Sequence, residues 1–87
     1  MMSTEPTNSL QKLLDFLDQC EQRKIYFTLG RSRNEAIMVH VDVPGERWEV
    51  EFFADGHVEV EVFRSGGPDS GLEGEDALER LFAVHSD

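Results

Sequence analysis

Apolar residues in the first part of the chain fall at helical spacing. Leu10, Leu13, Leu14, Leu17 and Cys20 recur at i, i+3, i+4 and i+7, which predicts an amphipathic helix over about residues 9–23 with this stripe turned to the core. Asn8 stands where an N-cap is needed, and Gln11 follows three residues later as in a capping box. From Ile25 the period changes to two. Ile25, Phe27 and Leu29 alternate with Tyr26 and Thr28, and Ile37, Val39, Val41 and Val43 alternate with Met38, His40 and Asp42. Trp48, Val50 and Phe52 alternate with Glu49, Glu51 and Phe53, and Val58, Val60 and Val62 alternate with Glu59, Glu61 and Phe63. Four such runs, each with one apolar face, predict an antiparallel meander. Leu78, Leu81 and Phe82 then mark a second helix over about 75–85, with Glu75 and Asp76 in its first turn, where the helix dipole favours acids.

The expected fold is therefore α+β: a four-stranded antiparallel meander sheet with two helices packed on one face, in the order α-β-β-β-β-α. Residues 1–7 read as a disordered tail and 8–87 as a single α+β domain. The turn residues agree. Pro44-Gly45 suits the centre of a type II turn, and Asp55-Gly56 marks a tight hairpin. A polar loop from Gly30 to Glu35 carries Arg31 and Arg33, and residues 65–71, rich in Gly and Pro, read as a flexible connection.

Directly opposed residues of an antiparallel pair share a face, so the apolar faces constrain the register. In the last hairpin, a three-residue loop at Ala54-Asp55-Gly56 pairs Phe52 with Val58 and Val50 with Val60, and Gly56 supplies the left-handed residue such a loop requires. Glu51 then faces Glu59, and Glu49 faces Glu61. The same reasoning pairs Val43 with Trp48 and Val41 with Val50, setting Asp42 beside Glu49 and His40 beside Glu51. It pairs Phe27 with Val39, so that Tyr26 meets His40 and Lys24 meets Asp42. The outer face becomes a glutamate square, Glu49, Glu51, Glu59 and Glu61, with no intervening base. Asp42 and His40 extend it, and Phe53, Met38 and Tyr26 border it as exposed anchors. Like charges directly opposite cost from a few tenths to about 1 kcal/mol each, so a sheet face built only for stability would alternate signs. Glutamate on a solvated strand face is also ordinary and discourages edge aggregation.

Charge narrows the choice of partner. The 87 residues, enough for one domain, hold 18 acids and 8 bases, a net charge of −10. Nucleic-acid binding rests on phosphate neutralisation by Lys and Arg, so this balance argues against it and favours a basic protein partner. A single cysteine, Cys20, permits no intrachain disulfide and suits a reducing compartment. Residues 1–7 lack the basic and apolar segments of a signal peptide, and no run approaches the ~20 apolar residues of a membrane span. A cytoplasmic location is expected, with no membrane role.

No phosphate-binding loop, nucleophile elbow or CxxC is present. A flat meander face offers paired carboxylates no cleft for acid–base chemistry, so no enzyme and no cofactor are expected. His40, Glu51 and Glu59 in one row, with His57 nearby, form a metal-binding alternative on a surface too planar for closed tetrahedral coordination. His85 reads as a dipole partner at the end of the second helix.

The segment from Val43 to Gly56, VPGERWEVEFFADG, resembles a group of small acidic bacterial proteins, some of which are similar to immunity proteins of polymorphic, contact-dependent or secreted toxins. The resemblance covers roughly residues 10–64 and is carried by a turn and a hairpin, so it is more specific for fold than for function. It implies a protein that sequesters a cognate toxin. The competing expectation is a structural homodimer or assembly subunit, using the apolar outer residues or an edge strand.

Overall fold

The computed structural model describes residues 8–65 and 70–84. The expected tail at 1–7, most of the Gly/Pro connection and His85 lie outside the described residues. The element order is α1 (Ser9–Gln22), β1 (Tyr26–Gly30), β2 (Ala36–Val43), β3 (Glu46–Phe53), β4 (Val58–Arg64), β5 (Ser70–Glu73) and α2 (Ala77–Val84). The fold is α+β with an antiparallel sheet ordered β1-β2-β3-β4-β5. The expected four strands are thus five. The stretch read as the end of a loop, Ser70–Glu73, adds to the free edge of β4 with Glu61 opposite Leu72 and Val60 opposite Glu73. Its sequence, Ser-Gly-Leu-Glu, carries no period-two run, so pairing with an existing edge forms this strand and propensity does not.

Asn8 caps α1 as expected, its Oδ1 accepting the Gln11 N–H at 2.7 Å. The Gln11 side chain does not close a capping box and donates to Asp15 instead. The C-terminus is a Schellman motif: the Ile25 N–H donates to the Cys20 carbonyl at 2.8 Å and the Lys24 N–H to that of Glu21 at 3.2 Å. Lys24 occupies the left-handed position, at φ 59°. It belongs to this turn, and the expected place opposite Asp42 on the sheet is taken by Tyr26. A left-handed Lys carries Cβ strain that glycine lacks, partly offset by glycine's freer unfolded chain. Lys24→Gly is accordingly expected to stabilise the domain by roughly 0.5–1 kcal/mol, read as a higher urea midpoint at unchanged slope.

The leucine stripe is rotated from its expected position. Phe16 and Cys20 are buried and Leu13 and Leu17 half-buried, whereas Leu10 is 62% and Leu14 44% exposed. Both stripes satisfy the helical period, and the larger apolar area of Phe16 decides between them. Its ring stands 5.3 Å from Phe52 of β3 and 5.5 Å from Phe82 of α2, in tilted contacts that join both helices to one sheet face. The rest of the core is the inner face of the sheet, with Val39, Val41, Trp48, Val50, Val60 and Val62 almost fully enclosed. Leu81 of α2 is fully buried as well. Glu75 and Asp76 precede α2, whose first-turn acid is Glu79. Burial pushes the Cys20 thiol up to about 12, so it packs as a small apolar side chain.

Register is as expected in one hairpin and shifted in two. β3 and β4 pair Phe52 with Val58, Glu51 with Glu59 and Glu49 with Glu61, around a loop whose Gly56 is left-handed at φ 98°. β2 and β3 are offset by two residues from the expectation. Val43 pairs with Glu46 across a two-residue Pro44-Gly45 turn, so Val41 faces Trp48, Asp42 faces Arg47, His40 faces Glu49 and Met38 faces Glu51. β1 and β2 are offset by two as well, placing Phe27 opposite Val41, Tyr26 opposite Asp42 and Thr28 opposite His40. An offset of two keeps every side chain on its face, so the apolar alternation is satisfied either way.

Candidate functional site

The outer face lies opposite the helices. Its centre is the glutamate square, whose geometry follows from the β3–β4 register. Around it the shifted registers bring a different set of neighbours from those expected. Asp42 faces Arg47, an opposite charge, and Arg47 lies over Phe63 at 5.0 Å. Tyr26 is exposed at this outer corner, away from the square. Asp42 and Tyr26 therefore form a charge-balanced end of the face, separate from the acidic centre. His40 approaches Glu49, with Nδ1 3.8 Å from Oε2. The expected row of His40, Glu51 and Glu59 is not formed. Among the described residues no group of three or more His, Cys, Asp or Glu side chains is arranged to hold a metal ion.

Glu51 is the exception among the four. Its side chain is 6% exposed, although it sits on the outer face. The cause is the loop 31–35. Ala36 and Ile37 pair with β3 but have no partner on β1, so β2 overruns β1 and the loop bends back across the sheet. Arg31 holds the loop by donating to the Asn34 carbonyl at 2.8 Å. Arg33 reaches over the square, its Nε 3.3 Å from Glu51 Oε2. The square thus does have a base above it, contrary to expectation. Contact is close enough for an ion pair, yet Oε2 accepts no hydrogen bond. A buried carboxylate oxygen with a charge nearby but no donor aimed at it is only partly satisfied.

Phe53 and Met38 also differ from the expected exposed anchors. Phe53 is buried. The His57 ring stacks on it at 4.1 Å and 13°, and the Arg33 guanidinium stands 5.4 Å from its centroid. Phe53 is therefore the platform that orients two bases at the edge of the square. Met38 is half-buried opposite Glu51. The face is not flat. The loop at Ser32 and Arg33 forms one wall and Leu72 of β5, 79% exposed, forms the other, around a cavity of about 550 Å³ that the four glutamates line. Nothing in the alternation marked Leu72 or Ser32 as part of the site, because both reach it through chain segments without periodicity. Arg33 was visible only as a base in a polar loop.

His57 links the hairpin tip to the square. Its Nδ1 lies 2.6 Å from Asp55 Oδ1 and its Nε2 3.3 Å from Glu59 Oε2. The bond to Asp55 is the main cause that raises the His57 pKa above 6.5, with Glu59 adding to it. The His57 backbone N–H and ring in turn hold the Asp55 carboxyl below its usual 3.8. Stabilisation of the hairpin tip from the His57–Asp55 pair is thus fully present between pH 3.8 and 6.5, and is lost as pH rises through the elevated His57 value or falls through the lowered Asp55 value. In an NMR titration the His57 ring protons should show a midpoint above 6.5, and Asp55→Asn should move it down. An unchanged midpoint in that variant would remove Asp55 as the cause.

Comparison with protein-family models, with curated proteins and with solved structures finds no match. No described helix is long and apolar enough to cross a membrane.

Proposed function

We propose that this is a non-enzymatic binding protein that captures a basic protein partner on its acidic sheet face, in the manner of an immunity protein neutralising a cognate toxin. The observation that carries the reading is the square itself. Glu49, Glu51, Glu59 and Glu61 are gathered in two directly opposed pairs, with Arg33 as the permanent cation in contact with them among the described residues. Glu61 has no ion pair among the described residues. Such an arrangement costs stability within the domain and lowers the cost of approach for a positively charged surface. Steering by a field of this sign speeds association and selects against acidic partners. Toxins that act on nucleic acid present basic surfaces, which fits the class of partner that the resemblance implies.

The test is charge reversal. Binding of a basic partner protein, followed by titration calorimetry at low and high salt, should weaken with salt and fall about a hundredfold when the three more accessible glutamates are reversed. Normal affinity in the reversed protein would sink the reading. Self-association is the competing function, favoured by the edge strand β1, where Leu29 and Tyr26 are both more than half exposed. A single monomeric species in sedimentation throughout the micromolar range would exclude it.

A further inference from the structure

The cavity above the square is more specific than a negative patch. Its floor is Glu51, whose side chain is 6% exposed and whose Oε2 is buried beneath Arg33 without a hydrogen-bond donor. Glu49, Glu59 and Glu61 stand around it, and Leu72 and Met38 supply apolar wall on two sides. The volume of about 550 Å³ is within the range of pockets that take a small ligand. Arg33 is a poor fit to the floor. Its Nε stands 3.3 Å from Glu51 Oε2 without a hydrogen bond, it comes from a loop exposed along its length, and its guanidinium is shared with the Phe53 ring. What the floor lacks is a charged N–H donor aimed at Oε2, and a fork of two parallel N–H groups would reach both carboxylate oxygens. A guanidinium presents that fork, whereas an ammonium is a compact point charge. The apolar walls match the carbon stem of an arginine.

We propose that this cavity is a receptor for an arginine side chain of the partner, with Glu51 as its bidentate acceptor and Arg33 as a resident stand-in that withdraws when the arginine enters. The proposal rests on the acidic-face reading and adds the chemistry that the face selects. Bidentate pairing on a buried carboxylate gives discrimination between arginine and lysine that surface charge alone does not.

The experiment compares fluorescently labelled octa-arginine and octa-lysine peptides, equal in length and charge, by anisotropy at physiological ionic strength. The intact protein should prefer octa-arginine by about tenfold. Glu51→Gln, isosteric with the native residue, should remove that preference while leaving weaker, salt-sensitive binding of both peptides. Arg33→Ala should widen the arginine-to-lysine ratio, since the stand-in is gone, and this arm remains informative if Glu51→Gln does not fold. Equal affinity for the two peptides in the intact protein would overturn the arginine receptor while leaving the acidic-face reading standing. Binding of neither peptide would overturn both. A preference that persists in folded Glu51→Gln would overturn the role of Glu51, and a ratio unchanged in Arg33→Ala would overturn that of Arg33.

Discussion

Reversing Glu49, Glu59 and Glu61 together to Lys is expected to cost the complex with a basic partner about 3 kcal/mol, on the order of a hundredfold in affinity. Each reversal adds two charges, so the net charge moves from −10 to −4, and the change is concentrated on one face. Most of the loss should appear in association rate at low salt and shrink as the Debye length falls below about 10 Å near 0.1 M ionic strength. Folding should survive. The three side chains are half-buried or exposed, and the reversal exchanges one like-charge pair, Glu49–Glu61, for another. The Glu51–Glu59 pair becomes attractive, at the expense of the His57 contact to Glu59. The net effect on stability should lie within about 1 kcal/mol. Glu51 is deliberately left in place. A lysine there would be buried beneath Arg33, and an unpaired buried charge destabilises by about 3–5 kcal/mol, which would confuse unfolding with loss of binding. Calorimetric titration beside a thermal melt separates the two effects. A folded triple variant with unchanged affinity would remove the face from consideration.

Trp48→Ala should be the most damaging single truncation in the core. The ring is 1% exposed at the centre of the inner sheet face. Its Nε1–H donates to Glu46 Oε1 at 2.9 Å, and the Arg80 guanidinium of α2 stands 5.4 Å from its centroid. Arg80 is also forked onto Glu73 of β5, at 3.2 and 3.1 Å. Trp48 therefore lies under the contact that ties the last strand and last helix to the sheet. Truncating a buried tryptophan costs about 3–5 kcal/mol. A domain of this length has roughly 4–13 kcal/mol in total, so the variant should lose a large share of its stability. Urea unfolding followed by far-ultraviolet circular dichroism should show the midpoint fall by the corresponding amount. Leu10→Ala, on the exposed side of α1, should change stability by less than about 0.5 kcal/mol. A Trp48→Ala loss as small as that would mean the sheet does not depend on this ring.

The contrast between Leu10 and Phe16 shows how far the apolar pattern reaches. Helical spacing located α1 to within a residue or two, but two overlapping stripes met the same period. Phe16 took the core position because Phe52 and Phe82 stand ready to receive an aromatic ring. Strand positions and faces were legible for the same kind of reason. Period-two alternation decides which side a residue occupies, and the left-handed Gly56 decided the β3–β4 register together with it. The glutamate square follows from these two facts alone. Lateral position was not legible elsewhere. Alternation repeats every two residues, so it cannot separate a register from one shifted by two. The two-residue Pro44-Gly45 turn chose between them for β2 and β3, and the choice moved His40 from Glu51 to Glu49.

What the amino-acid sequence determined by itself is the α+β class, the inner and outer faces of the four longer strands, and the four carboxylates gathered on one of those faces. Only the tertiary structure decided that these carboxylates surround a pocket. The overrun of β2 past β1 lets the loop fold back so that Arg33 covers Glu51, and the free edge of β4 recruits a short segment that stands Leu72 up as a wall. Both walls come from segments without periodicity, held where pairing and packing elsewhere leave room for them. Their placement depends on where other elements end, a property of the assembled sheet that no local pattern encodes.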